Sequence, residues 1–455
     1  MAADILRRVA LKHHLFAWSA VTLLGLTSPI SAQSTDLSEA IAADYDNSLE
    51  ALFLDFHKNP ELSYKEVRTA SIMAREWRAI GWTVTENVGG TGVVAVMKNG
   101  EGPTVMLRAD MDGLPLLENT DLDYKSTAKQ VGTDGKEQPV MHACGHDVHV
   151  TSLIGTARQL AASKEKWRGT VVLIAQPAEE TFGGAKAMLD DGLYSRFPKP
   201  DYALGFHVIS GMPAGSLSLT PGINTSSTDS VDIIIHGVGT HGAFPHAGKD
   251  PIVMGSQIVM ALQTLVSREI APLKPAVVSV GSFQSGFKHN IIPNKAILQL
   301  TVRSDDAETR KKLLDGIERI SKNIARASGM PEDKLPEVNV AAESTPAGYS
   351  DAALTQRLKN VFTKQFGKEA IISTPRTGMG GEDFAYFVAP NSDVPGLYFA
   401  VGGTPQADLD RAKAGGPPIP AHHSPFFKVA PRESVTMGTE AMTSATWELL
   451  QPPSN

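Results

Sequence analysis

The chain has a single cysteine, Cys144, in 455 residues. That excludes an intramolecular disulfide framework and leaves one thiol that needs a chemical explanation. Basic residues are also scarce: 42 Lys and Arg against 49 Asp and Glu give a formal charge of −7. No stretch gathers the excess of Lys and Arg that a phosphate backbone requires, which excludes a nucleic-acid surface. Aromatic residues make up 6% of the chain. Internal repeats and low-complexity tracts are absent, and no apolar run reaches the roughly 20 residues needed to cross a bilayer. With 42% hydrophobic residues, the remainder is ordinary globular composition. This excludes disorder, collagen and a coiled-coil rod, and directs attention to small-molecule chemistry.

At the N-terminus, Arg7, Arg8 and Lys12 precede an apolar run from Leu15 to Leu26, and Ile30-Ser31-Ala32 ends in a small residue suited to signal-peptidase cleavage. Residues 1–32 are therefore expected to be a signal peptide, and the protein to be exported, periplasmic or secreted, with no stable membrane span after processing. Arg7-Arg8-Val9-Ala10-Leu11-Lys12 also approximates a twin-arginine signal, so the segment is compatible with either export route.

Asp36-Leu37-Ser38-Glu39 and Ser63-Tyr64-Lys65-Glu66 have capping-box spacing, and each opens a stretch with apolar residues three and four apart. Two early helices are expected, the second with Val67, Ala70, Met73 and Trp77 on one face and Gly81 as its stop. Val93 to Met97 and Thr104 to Leu107 flank Asn99-Gly100, which reads as a hairpin turn; the second strand runs into Asp110 and Asp112. Thr170 to Ala175 reads as a buried strand delivering Glu179-Glu180, and Asp201 to Phe206 as one ending at His207. Polar residues thus collect where strands stop, the edge at which open α/β sheets bind ligands.

Between residues 230 and 340 the pattern becomes strand (Val231 to His236), helix (Pro251 to Glu269), strand (Ala276 to Phe283), strand (Ala296 to Val302), helix (Ala307 to Ala327), strand (Glu337 to Ala341). This β-α-β-β-α-β order is a split βαβ unit. It holds no second dense cluster of His and carboxylates and reads as an inserted smaller domain, 223–342, between two parts of a catalytic domain, 33–222 and 343–455. Beyond it, Ser350 to Phe366 and Glu433 to Leu449 read as helices, Gly396 to Val401 as a strand, and Ala414 to Pro420 as a loop.

The chemistry concentrates in Met141-His142-Ala143-Cys144-Gly145-His146-Asp147-Val148-His149. A thiolate and several imidazoles so close together suit Zn²⁺ and related divalent ions. Taken alone, Cys144 also fits a buried small hydrophobe or a nucleophile activated by a neighbouring His. Gln176-Pro177-Ala178-Glu179-Glu180 follows a strand; in extended backbone successive side chains point opposite ways, so one carboxylate can ligate a metal while its neighbour faces the substrate as a base. His207 and Ala421-His422-His423-Ser424-Pro425 add further donors.

Five strings in register, Leu107-Arg108-Ala109-Asp110-Met111-Asp112-Gly113-Leu114-Pro115, Met141 to Asp147, Gln176 to Glu180, Gly239-Thr240-His241-Gly242-Ala243-Phe244-Pro245-His246, and His422-His423-Ser424-Pro425, resemble the M20 metallopeptidase family. Within it the chain is similar to the N-acyl-amino-acid amidohydrolases, a group with hippurate hydrolases, auxin-conjugate hydrolases and related carboxypeptidases, from roughly Leu52 to Leu450. The resemblance implies an α/β, Zn-peptidase-like (phosphorylase/hydrolase-like) catalytic domain with an inserted ferredoxin-like lid through which the chain forms a homodimer. It implies two divalent metal ions, Zn²⁺ first, with Mn²⁺, Co²⁺ or Ni²⁺ as alternatives, held by Cys144, His146, Glu180, His207 and His423. It implies cleavage of the amide of an N-acyl amino acid or short peptide with a free carboxylate, by a metal-bridged water, with Glu179 as general base and acid.

On that pattern Cys144 is a thiolate ligand. His241 is the lid histidine that stabilises the oxyanion, often across the dimer interface, and Asn290 and Arg303 hold the substrate carboxylate. An ion pair of Arg303 with Asp305 or Asp306 is the competing reading. Many relatives have His-x-Asp where this chain has Asp110-Met111-Asp112; Asp112 is expected to orient a ligand His, and Asp110 has no assigned role. Gly378 to Asp383 resembles a substrate-side loop in which Glu382 and Asp383 have no assigned role, and His142, His149, His246 and His422 are expected to support rather than ligate. The rival classes are a non-catalytic periplasmic ligand-binding protein, which has no need of Glu179, and a Cys-nucleophile amidase, which has no need of metal.

Overall fold

The computed structural model describes residues 32–133 and 135–451; the expected signal peptide, up to Ser31, lies outside the described residues. In chain order, helices α1 (Ala32–Asp44), α2 (Glu50–Lys58) and α3 (Val67–Ala79) lead into strands β1 (Thr83–Val88), β2 (Gly92–Asn99) and β3 (Thr104–Asp110). Helix α4 (His146–Ala162) follows, then β4 (Gly169–Gln176), β5 (Tyr202–Pro213) and β6 (Leu217–Ser218). The inserted unit comprises β7 (Ser227–His236), α5 (Pro251–Thr264), β8 (Ala276–Ser285), β9 (Lys295–Ser304), α6 (Ala307–Ala327) and β10 (Glu337–Thr345). The chain then closes with α7 (Ala352–Phe366), β11 (Gly396–Thr404) and α8 (Pro431–Leu449).

Seven strands form the central sheet in the order β1-β2-β4-β3-β5-β11-β6. The pairings β3–β4, β3–β5 and β5–β11 are parallel; β1–β2, β2–β4 and β6–β11 are antiparallel. The expected hairpin across Asn99-Gly100 is therefore wrong, because β4 inserts between β2 and β3. β3 is buried along nearly its whole length and β4 along all of it, so each needs partners on both edges and cover on both faces, a demand that a local turn signal does not register. Alternate residues of β4 enter two separate cores: Val171, Leu173 and Ala175 pack with Phe53, Trp77 and Leu153, whereas Val172 and Ile174 pack with Met188, Phe384 and Phe387. Helices α4 and α8 meet closely at glycines; a Cβ on Gly155 would lie 2.9 Å from Thr439 Oγ1, and one on Gly438 2.8 Å from Ser152 Oγ.

The inserted unit has its own core, with Val231, Ile233, Ile258, Leu298 and Leu313 at its centre. Its antiparallel sheet runs β8-β9-β7-β10, with β-α-β-β-α-β connectivity. Asp250, Asp306 and Asp351 start α5, α6 and α7 by accepting the Ile252, Thr309 and Leu354 N–H groups. The two early capping boxes are not used in that way. Helix α1 already begins at Ala32, upstream of Asp36, and α3 begins at Val67 because the Ser63 hydroxyl is engaged by Asp112 at 2.6 Å. Among the described residues no helix is long and apolar enough to cross a membrane.

Candidate metal centre

Four sheet-edge segments and one distant loop meet at the C-terminal ends of β3 and β4. Gly145, at φ +89, lets the chain turn from Cys144 into α4; a Cβ there would lie 2.3 Å from Val208 Cγ1. β5 does not stop at His207 as the sequence suggested but continues to Pro213, so His207 projects from mid-strand. Glu179 and Glu180 are not in extended backbone either. They occupy a tight turn flanked by Ala178 (φ 51) and Phe182 (φ 54), closed by Phe182 N–H to Glu179 O at 2.7 Å. The loop bearing His423 is tied in by its N–H to Ala143 O at 2.9 Å.

Cys144 Sγ lies 3.3 Å from His207 Nε2, and His423 Nε2 lies 3.3 Å from Glu180 Oε2. His146 Nε2 is 4.0 Å from Glu180 Oε1 and 3.9 Å from Glu179 Oε2. The donor atoms of Cys144, His146 and His207 fall within 4.8 Å of one another, as do those of Cys144, Glu180 and His423, and of His146, Glu179 and Glu180. His146 Nε2 and Glu180 Oε1 are buried without a hydrogen-bond partner, a costly state for polar atoms unless they face a ligand. Anionic groups are also in excess. Burial and the Glu382 charge hold Glu179 well above the usual carboxylate range. Burial holds Glu180 up at about 8, and burial with Glu180 and Glu179 pushes the Cys144 thiol well up. A thiol, three imidazole nitrogens and a carboxylate form a donor set that fits Zn²⁺ and related dications, whose charge meets that excess.

Hydrogen bonds orient the rings. His146 Nδ1–H donates to Asp112 O at 2.8 Å and His207 Nδ1–H to Val208 O at 2.7 Å, so both Nε2 lone pairs face the cluster. His149 Nε2 accepts Val208 N–H at 2.9 Å and its Nδ1–H donates to Asp110 at 2.6 Å, which leaves no lone pair for a metal. His422 Nε2 accepts Ser210 N–H at 3.1 Å, which turns Nδ1–H toward Cys144 Sγ at 3.8 Å. His142 is buried with neither ring nitrogen bonded, and burial drives it down to about 4. His246 lies on the lid beside the Phe244 ring. Asp112 sits at His146 as expected, through its carbonyl, while its carboxylate accepts the Glu179 and Glu180 N–H groups at 3.1 and 3.0 Å.

Three groups were not anticipated. Arg108, fully buried, bonds Asp110 at 2.6 Å and Glu382 at 2.7 Å, and Asp383 bonds Gln176 at 2.7 Å and Ala185 N–H at 2.9 Å. The carboxylates of Glu382, Asp383 and Glu179 come within 4.8 Å of one another, so the two residues without a role border the acid beside the donors. The sequence signal was an arginine inside a buried-type strand. Buried His57 is the second group, bonded to Asp147 at 2.7 Å and Glu118 at 3.3 Å. The third is Glu66, whose Oε1 accepts Ala178 N–H at 2.8 Å.

The lid residues stand apart. His241 is exposed beside a surface cavity of about 590 Å³ and accepts Ala243 N–H on Nδ1 at 3.0 Å, which leaves Nε2–H free. Asn290 is exposed on the facing turn, where its carbonyl accepts Gly242 N–H at 2.8 Å. Arg303 does not pair with Asp305 or Asp306, which bind Arg376 and Lys274; it donates to the Thr301 and Thr228 hydroxyls. Among the described residues none of the three forms a hydrogen bond or ion pair with a donor side chain.

A sequence profile of Peptidase family M20/M25/M40 matches residues 106–414. The chain is 40% identical over 348 residues to the hippurate hydrolase of Campylobacter jejuni, covering 76% of this chain and 86% of that protein. It is 37% identical over 350 residues to thermostable carboxypeptidase 1 of Saccharolobus solfataricus, covering 76% of this chain and 83% of that protein. Among solved structures it is similar to a Bacillus subtilis protein described as a dinuclear metal binding peptidase of the M20 family. The TM-score is 0.70 at 27% identity, covering 90% of this chain and 99% of that chain.

Proposed function

The chain belongs to peptidase family M20/M25/M40 and is a metal-dependent hydrolase, and from that premise we propose that it cleaves the amide bond of N-acyl amino acids or short peptides with a free carboxylate. The observation that carries the reading is the buried pair His146 Nε2 and Glu180 Oε1, neither hydrogen-bonded among the described residues, 4.0 Å apart with Glu179 alongside and Asp110 3.6 Å from the same nitrogen. We assign Cys144, His146, Glu180, His207 and His423 as the residues that would hold two divalent ions, Zn²⁺ first, with Mn²⁺, Co²⁺ and Ni²⁺ compatible with the same donors. Bound there, such ions supply Lewis acidity that polarises a carbonyl and acidifies a water.

Glu179 takes a proton from the attacking water and returns it to the amide nitrogen, which leaves only once protonated. Burial and the neighbouring Glu382 charge raise its proton affinity, the direction that favours a carboxylate taking up the water's proton. Arg303, which among the described residues donates to hydroxyls and to no carboxylate, and Asn290 hold the substrate carboxylate. His241 offers Nε2–H to the oxygen on which charge develops. Its exposed position suits action across a homodimer built on the lid, where β8 is an edge strand and Phe283, Val253 and Met260 are exposed apolar side chains. Export by the N-terminal segment completes the proposal.

Cys144 and His207, 3.3 Å apart, also have the spacing of a nucleophilic dyad. Their proton affinities run the wrong way: burial holds the thiol well up and the imidazole well down, whereas an attacking thiolate needs the reverse. The test is a panel of N-acetyl, N-benzoyl and dipeptide substrates with metal-loaded protein, reading released amino acid. Turnover should vanish with chelator, return with added Zn²⁺, Mn²⁺ or Co²⁺, and be lost in Glu179→Gln with metal retained. Absence of turnover across the panel, or a covalent Cys144 adduct, would sink the proposal.

A further inference from the structure

The turn that presents Glu179 and Glu180 contains two non-glycine residues in the left-handed region, Ala178 and Phe182. Such backbone persists only where its surroundings over-determine it. Here three consecutive N–H groups are bound by two carboxylates: Ala178 N–H by Glu66 Oε1 at 2.8 Å, and those of Glu179 and Glu180 by Asp112 at 3.1 and 3.0 Å. Glu66 is 0% exposed, so it touches neither solvent nor substrate. It occupies the N-cap of α3 yet makes no capping bond to that helix. Its Oε1 also accepts Tyr64 N–H at 2.9 Å, and its Oε2 accepts the Thr91 hydroxyl at 2.5 Å. Burying a carboxylate beside Asp112 is costly. Helix capping does not account for it; its three hydrogen bonds do, and of these only the one from Ala178 N–H reaches the turn that bears the acid pair.

We propose that Glu66 is a positioning residue for the acid pair: by binding Ala178 N–H it holds the left-handed corner from which Glu179 and Glu180 diverge. A change in the backbone angles at residue 178 displaces the Glu179 carboxylate, and misplacement by 1 Å can cost about a hundredfold in rate. The idea rests on the reading of Glu179 as the proton carrier.

The test compares Glu66→Met, of similar length with no oxygen acceptor, with Glu66→Gln, which keeps one. Relative to wild type, Glu66→Met should lose about tenfold or more in kcat with KM within about threefold and metal content unchanged, while Glu66→Gln stays within about threefold. In metal-free protein, amide hydrogen exchange in residues 177–182 should accelerate in Glu66→Met and not in Glu66→Gln. Should Glu66→Met fail to fold, Glu66→Asp retains the charge and withdraws the oxygen from Ala178, and the same two readouts apply. Wild-type kcat in the acceptor-less or shortened variant, unchanged exchange in 177–182, or a loss that follows metal content alone would overturn the inference. An inactive wild type would remove the functional reading instead, and the exchange comparison would still decide whether Glu66 holds the turn.

Discussion

Two residues near Cys144 make the donor geometry sensitive to single atoms. Gly145 is left-handed and lies against Val208. Gly145→Ala should destabilise the protein by about 1–3 kcal/mol in denaturant unfolding and weaken metal binding, since Cys144 and His146 flank it. His422 aims Nδ1–H at Cys144 Sγ because Ser210 occupies its other nitrogen. His422→Leu should therefore lower metal affinity by about 10–100-fold in a competitive titration while leaving the coordinating side chains intact. The constraint at Gly145 was not legible in the sequence. The family resemblance divides His422 and His423 into support and ligand, and the structure adds the means: Ser210 N–H occupies His422 Nε2 while His423 faces Glu180.

Elements are held around the site by buried charge. In β3, Arg108 is the cation shared by Asp110, Glu382 and Asp383. Arg108→Met should cost about 3–5 kcal/mol in unfolding free energy, because it strands buried carboxylates. Helix α2 is joined to α4 and to the loop at Glu118 by His57. Burial lowers this group, but hydrogen bonds and charges from Asp147 and Glu118 outweigh burial and hold it up at about 9, against 6.5 ordinarily. A cationic group raised in the folded state stabilises fully below its unfolded value, and that stabilisation disappears as pH rises through the folded one. Unfolding free energy should thus fall by on the order of 3 kcal/mol between about pH 6 and about pH 10, and His57→Gln should flatten that slope. The element positions themselves were largely readable: α6 spans Ala307–Ala327 as its periodicity indicated. The ends that were misread, at Ser63 and His207, are those where a side chain or strand found a tertiary partner that no local pattern records.

At the scale of the whole molecule, the inserted unit and the catalytic body are separately cored and are linked by an ion pair. Arg376 grips Asp305 at 2.7 and 2.9 Å, and Ser226 donates to the same carboxylate at 2.7 Å. The loop carrying Arg376 continues to Glu382, whose carbonyl accepts the Thr345 hydroxyl at 3.0 Å. If the lid forms the homodimer, Met260→Glu on exposed α5 should shift sedimentation toward monomer and reduce turnover together. A monomer with full activity would remove His241 from its role across the interface.

Local periodicity in the primary structure is enough to read the inserted β-α-β-β-α-β unit, and the resemblance of five sequence strings to a known family is what implies the candidate donors and their order. The tertiary structure alone decided that β4 separates β2 from β3, that Glu179 and Glu180 diverge from a strained turn, and that Arg108, Glu66 and His57 are buried against carboxylates. Each of these depends on which distant segment wins the competition to cover a strand edge or neutralise a buried charge. That competition is settled by burial and pairing across the whole molecule.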